Sequence, residues 1–386
     1  MGHVLQRRAP FFLYVAVTVT IAGCVVYFGW VRTWSSVYVP TMYPPFADMR
    51  VIQGAVRSVE RGYDPRIANV GDPWRRRFNY PMLWIAIGKA LNFTNERWFI
   101  AICAALVLCF IGLCAVLIFL YPSFGLLASL VSTSTLLGME RGNIDLAVFC
   151  LLFCTTLWIP RRWSPIPLLL ATLLKLYPVL ALSAMFIRRQ FLLFAASLAA
   201  AVAIFAYLWG QLAAIRSNTP TSCLISYGIP SIHACLTRFG WRFWQLVVLL
   251  TATGLATLSL AYSFSRSDAV QQKQDLAFDL MLVGAAIYVG TFILSSNWDY
   301  RLIFFIFCIP FLQQRPFPCA RAVILVMLPA MNETLLTYWF GVTGLVVAQL
   351  AKTVIFAVLS AYLLALAWGT LASFYAKPKS ATAAAN

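Results

Sequence analysis

The chain has 386 residues, of which 62% are hydrophobic and only 11% are Asp, Glu, Lys or Arg. Soluble domains carry roughly 45–50% apolar and about 25% charged residues, so a soluble enzyme, a disordered protein and a disulfide scaffold are all excluded. The net charge of +17 does not point to nucleic acid, because the basic residues sit mainly at the ends of apolar runs, as membrane flanks do. In lipid the backbone must satisfy its own polar groups, and apolar runs of helix length separate the charges. The predicted class is an all-α polytopic membrane protein, one integral-membrane domain over residues 1–386.

The first apolar run, Pro10 to Trp30, follows Gln6-Arg7-Arg8. It is long enough to span and lacks a clear cleavage site, so it is expected as a retained span with a cytoplasmic N-terminus. Residues 31–97 then form a polar external loop that needs its own folding, with an amphipathic helix expected around Asp48 to Glu60. Later spans are expected near Ile100–Leu120, Phe124–Met139, Asn143–Ile159, Leu168–Ile187, Phe191–Trp209, Phe243–Tyr262, Leu276–Leu294, Leu302–Phe311, Ala320–Ala330 and Tyr338–Phe374. That makes about ten to twelve in all. Lys175, Tyr177 and Pro178 interrupt one of them, and a broken hairpin returning to its starting side is expected there. This choice gathers Arg161-Arg162, Arg188-Arg189, Arg266 to Lys273, Arg315 and Lys377 to Lys379 on one side. The positive-inside rule makes that side cytoplasmic, with both termini there. Cys223 and Cys235 share one loop and can pair if it faces an oxidising compartment, or remain free thiols.

The polar groups left over converge on the opposite side. Charges beside apolar runs need partners or a wet cavity. Glu140, Arg141, Asn143 and Asp145 form either a capped turn near the headgroups, with Asn143 as helix N-cap, or the wall of a substrate cavity. Lys175 either snorkels or contacts a phosphate or an acidic partner. Asp299, Tyr300 and Arg301 read as an interfacial turn or as ligands for a phosphate oxygen and a sugar hydroxyl. In the long loop, Asp64 precedes Pro65 and Asp72 precedes Pro73, so both are turn shapers as readily as site residues. Asp48, followed by Arg50, has no such turn chemistry. It is a solvated loop acid, a helix cap, or a carboxylate that takes a proton from an attacking hydroxyl. Arg75, Arg76 and Arg77 can hold a diphosphate or lipid phosphate, or simply face solvent. Asn79 and Tyr80, before Pro81, turn the chain back to the membrane. No Walker loop, Rossmann fingerprint or zinc motif occurs, and the only histidines are His3 and His233. No cofactor or metal is therefore expected, and the energy for any transfer must reside in the substrate.

This ordered set resembles the integral-membrane GT-C glycosyltransferases, and most closely glycosyltransferase family 87. The resemblance rests on Phe46-Ala47-Asp48, Gly62-Tyr63-Asp64-Pro65, Asn79-Tyr80-Pro81, Glu140-Arg141-Gly142-Asn143-Ile144-Asp145, Lys175-Leu176-Tyr177-Pro178 and Asn297-Trp298-Asp299-Tyr300-Arg301. It implies a GT-C-like bundle with an extra-cytoplasmic active site and Asp48 as catalytic base. It further implies transfer of a sugar such as mannose from a polyprenyl-phosphate donor to a glycolipid or glycan acceptor, in a bacterial plasma membrane. Arg50, Asp64, Asp72, Arg75–Arg77, Asn79, Tyr80, Glu140, Arg141, Asn143, Asp145, Lys175, Tyr177 and Asp299–Arg301 are the expected substrate-binding residues. The competing expectation is a transporter or flippase with the same charges as its vestibule. No internal repeat supports it.

Overall fold

The computed structural model describes residues 2–158, 161–240, 242–267, 274–314 and 319–375. Lys273, Arg315, Lys377 and Lys379 of the expected cytoplasmic flank lie outside them, as does Ile159, the expected end of one span. Among the described residues the chain is a helical bundle with one two-stranded sheet. Six helices are long and apolar enough to cross a membrane: Arg8–Phe28, Glu96–Leu120, Phe191–Asn218, Phe243–Ser265, Leu276–Leu294 and Glu333–Ala372. Shorter apolar helices accompany them at Ile144–Leu157, Pro165–Leu174, Tyr177–Ile187 and Ala320–Met331. This is a multi-pass membrane architecture.

Local chemistry sets where these helices begin. Asn95 accepts from the Arg97 and Trp98 amides, and Asp275 from Phe278, each capping the long apolar helix that follows. The amphipathic helix of the long loop runs Ala47–Glu60 and buries Met49, Val51, Ile52, Ala55 and Val56, packing against the short helix Leu83–Ala90. The expected span Phe124–Met139 is instead two helices, Phe124–Leu130 and Thr133–Arg141. The physical reason is the run of hydroxyls between them. Ser132 and Thr135 both bond the Ser129 carbonyl, and Ser132 caps the second piece, an alternative to continuous helix that such residues offer. The expected span Leu302–Phe311 is a buried 3₁₀ helix, Asp299–Cys308, running into Ile309–Gln314. A 3₁₀ helix rises about 2.0 Å per residue against 1.5 Å for an α-helix, so few residues cover much of the core. Phe307 stacks on Phe149 at 4.3 Å between centroids.

The broken hairpin is present. Helix Pro165–Leu174 ends at Lys175, whose backbone is extended, and the chain returns through Tyr177–Ala181 and Leu182–Ile187. Ser164 and Leu168 from the outgoing arm share one cavity with Ala184, Met185 and Arg188 from the returning arm. The hairpin therefore enters and leaves at one end of the bundle, with Lys175 at the apex toward the other. That apical end also holds the sheet, in which Ser226–Tyr227 pairs antiparallel with Asn297–Trp298. A disulfide joins Cys223 to Cys235 beside it.

Candidate functional site

Asp48 lies in the first turn of helix Ala47–Glu60, and its side chain is 15% exposed. One carboxylate oxygen faces Arg76 Nη1 at 3.5 Å. The other accepts from Asn143 Nδ2 at 2.5 Å. Arg76 is fixed from behind by Asp72, which accepts its backbone amide at 2.9 Å and its Nη2 at 2.8 Å. Arg76 also donates to the Ala47 carbonyl and lies over the Trp74 ring. Burial disfavours the charge of Arg76, but the bond to Asp72 and the carboxylates of Asp48 and Asp72 outweigh it and hold the guanidinium above its ordinary pKa.

Asn143 is the pivot. It caps helix Ile144–Trp158 through the Asp145 amide at 2.8 Å, and the same Oδ1 accepts Lys175 Nζ at 3.2 Å. The preceding Gly142 has φ +55°, and a Cβ there would meet the Phe46 ring at 2.9 Å. Only glycine gives this turn its left-handed backbone beside the residue that leads into Asp48. Asp145 is wholly buried, with Lys175 Nζ at 2.5 Å, Tyr177 Oη at 2.6 Å and Arg301 Nε at 3.3 Å. Arg301 continues to Asn297 Oδ1 and lies 4.4 Å from the Tyr177 centroid. Lys175 stands within 6 Å of the Tyr80, Tyr177 and Tyr300 ring centres, close enough for cation–π attraction. An unbroken polar chain thus runs from Asp72 through Arg76, Asp48, Asn143, Lys175 and Asp145 to Arg301.

In front of this chain is a cavity of about 490 Å³, whose wall includes Asp48, Arg76, Arg77, Asn79, Tyr80 and Arg141. Trp298 and Tyr300 supply aromatic surface, and Asn218 stands opposite. Asn218 donates to the Arg66 and Phe78 carbonyls, so the end of helix Phe191–Asn218 holds the long loop against the bundle. Burial raises the Tyr80 phenol, which keeps it a neutral hydrogen-bonding group. The cavity joins one partly exposed carboxylate, several guanidinium groups and aromatic faces. That combination suits an amphipathic ligand with an anionic group and hydroxyls.

Other expected site residues stand elsewhere. Arg50 is buried on the far side of its helix, bonded to Glu96 at 2.6 Å and to the Pro45 carbonyl. Asp64 pairs with Arg66 within the loop, and that hydrogen bond lowers its pKa. Arg75 has φ +53° in the turn and is not part of the cavity wall. Glu140 is fully buried, where it accepts from Trp30 and the Met42 amide and faces Arg141 at 3.1 Å. Burial raises its pKa, and its contacts secure the 40–42 segment. Asp299 turns from the cavity to Lys352, at 2.7 and 2.9 Å. The reason is the tight 3₁₀ turn, in which Asp299 and Arg301, two residues apart, project to different sides.

Sequence reasoning passed over Lys352, Glu333 and Asn218, and it quoted Trp298 within a motif without placing it in the site. Lys352 carries the same signal that drew attention to Lys175, a lone cation in an apolar run. Nothing local marks Asn218. Among the described residues, no group of three or more His, Cys, Asp and Glu is placed to hold a metal ion. No protein-family model, curated protein or solved structure matches the chain.

Proposed function

We propose that the protein is a membrane glycosyltransferase. It moves a sugar, with mannose among the candidates, from a polyprenyl-phosphate donor to a lipid or glycan acceptor. The observation that carries this reading is Asp48, a carboxylate on the wall of a 490 Å³ cavity, oriented by Asn143 and flanked by arginines and aromatic rings. In the reaction Asp48 takes the proton of the acceptor hydroxyl. The freed oxygen attacks the anomeric carbon, and the bond to the phosphate oxygen breaks with inversion. Polyprenyl phosphate leaves with the electron pair. Arg76, Arg77 and Arg141 stabilise the charge it acquires, and the rings of Tyr80, Trp298 and Tyr300 offer faces for sugar or isoprenoid. The Cys223–Cys235 disulfide, two residues from the cavity residue Ile225, belongs in an oxidising compartment. It supports an outward-facing cavity, and on this proposal the protein sits in a bacterial plasma membrane with both termini cytoplasmic.

The test is a panel of radiolabelled polyprenyl-phosphate sugars with membrane acceptor lipids, given to purified protein in proteoliposomes. The expected result is a new glycolipid made by the wild type and none made by Asp48→Asn, which keeps its elution profile. Unchanged turnover in that variant would remove Asp48 from its role.

One observation favours a second reading. A cavity of about 380 Å³ opens at the other end of the hairpin, with Thr155, Ser164, Arg188 and Asp279 in its wall. Two cavities at opposite ends of the same helices fit a transporter or flippase. Labelled lipid crossing the proteoliposome membrane with no new glycosidic bond would select this reading.

A further inference from the structure

Lys352 sits in the middle of the long terminal helix, completely buried. Its ammonium contacts both carboxylate oxygens of Asp299, Glu333 Oε2 at 2.5 Å and the Ser226 carbonyl at 3.1 Å. Gln349, one turn earlier, donates to the same Ser226 carbonyl at 2.7 Å and to Glu333 Oε2 at 2.9 Å. The other Glu333 oxygen accepts the Ile225 amide. The Asp299 amide in turn donates to the Ile225 carbonyl at 2.9 Å. Glu333 and Lys352 are on one helix, 19 residues apart. They meet because that helix kinks at Gly341, where φ is +57° and ψ −132°. The two arms approach so closely that a Cβ on Gly344 would sit 2.2 Å from the Leu336 carbonyl.

The cluster therefore clamps two chain segments, 225–226 and 297–299, to both arms of one kinked helix. The residues on either side of its anchor points are Ile225, Trp298 and Tyr300, and all three belong to the cavity wall. Arg301, which neutralises Asp145, follows directly. None of the cluster's charged groups reaches the cavity.

We infer that Lys352 is a positioning residue for the cavity. By binding Asp299, Glu333 and the Ser226 carbonyl at once, it sets the wall formed by Ile225, Trp298 and Tyr300 against the Asp48 wall. This rests on the transferase reading for its kinetic consequence, but its structural consequence stands without that reading. A displacement of about 1 Å in such a wall costs about a hundredfold in turnover when it misplaces reacting groups. The same displacement leaves the carboxylate itself intact.

Lys352→Met alone would strand two buried carboxylates and risk misfolding. The informative variant is the neutral cluster Asp299→Asn/Glu333→Gln/Lys352→Met, which keeps the shape, leaves an amide in place of each carboxylate, and removes every charge together with the ammonium's hydrogen bonds. Lys352→Arg is the conservative partner. Hydrogen exchange is followed on peptides covering 222–228 and 296–301, alongside kcat and KM for the sugar-lipid donor. The neutral cluster should exchange faster at those two segments, with exchange over 47–60 unchanged. Its KM should rise and its kcat fall by about a hundredfold, and Lys352→Arg should recover most of both. Wild-type exchange at both segments in the neutral cluster would overturn the inference, as would unaltered KM and kcat. If the wild type transfers no sugar, the transferase reading falls, and the exchange data decide the positioning claim by themselves.

Discussion

Asp145 and Lys175 form a buried pair whose two halves are not equivalent, and their removal should not cost the same. Asp145→Ala takes away a carboxylate that faces both Lys175 and Arg301. It also orphans the Tyr177 hydroxyl. Two cations 11% and 12% exposed are then left close together, and removing one partner from a buried ionic group costs about 3–5 kcal/mol. Lys175→Met is milder. Asp145 keeps Arg301 and Tyr177, and the losses are the ammonium's short bond to Asp145, about 1.5–3 kcal/mol, and its longer contact with the Asn143 oxygen. Asp145→Asn should fall between, because the amide oxygen still accepts from Tyr177. Proteins of this class unfold irreversibly, so the measurement is a lifetime. Each variant, purified in detergent, is held at a fixed temperature, and the monodisperse fraction is followed by gel filtration. Asp145→Ala should decay fastest, by about tenfold relative to Lys175→Met for each 1.4 kcal/mol of difference, if the pair is lost in the unfolding transition state. Equal lifetimes, or faster decay of Lys175→Met, would refute the claim that Asp145 anchors the group.

Two further outcomes are expected. Gly142→Ala places a side chain at φ +55° against the Phe46 ring. It should cost about 1–3 kcal/mol, seen as a shortened lifetime, and should reduce turnover because Phe46 leads directly into the Asp48 helix. Reduction of the Cys223–Cys235 bridge should cost up to about 3 kcal/mol and open the 222–235 segment to limited proteolysis. Cys223→Ser should reproduce both effects and make the reductant inert.

The composition and the hydropathic runs made the membrane class legible, since apolar runs of that length satisfy their backbone in lipid as helices. The amphipathic helix after Ala47 was legible from its periodicity, and the Asn143 cap from its place before an apolar run. The gathering of Asp48, Asn143, Asp145, Lys175 and Arg301 could be anticipated because each polar group beside a lipid-bound segment needs a partner. What remained hidden was direction. Asp299 and Arg301 read as one motif in the chain, yet a 3₁₀ turn separates them. Arg50 reads as a neighbour of Asp48, yet a helix sends it to Glu96. The division of the run from Phe124 depended on hydroxyls choosing backbone partners, which hydropathy does not register. Lys352 found its carboxylates only through a kink at Gly341, a non-local event.

The first long helix links the long loop to the surrounding lipid. Only 6% of its apolar window is buried against the rest of the protein. Its fastenings include the Tyr14 bond to the Ile111 carbonyl, the Arg8 and Phe11 contacts around Phe119, and packing against the helix Phe124–Leu130. Lipid is its main neighbour, so its tilt answers to hydrocarbon thickness. Its continuation places Trp30 edge-on to Phe46, at 4.9 Å, one step from Ala47 and two from Asp48. Under the transferase proposal, acyl-chain length in a reconstituted bilayer becomes a mechanical input to the carboxylate, and short-chain and long-chain lipids should give different rates from one and the same polypeptide.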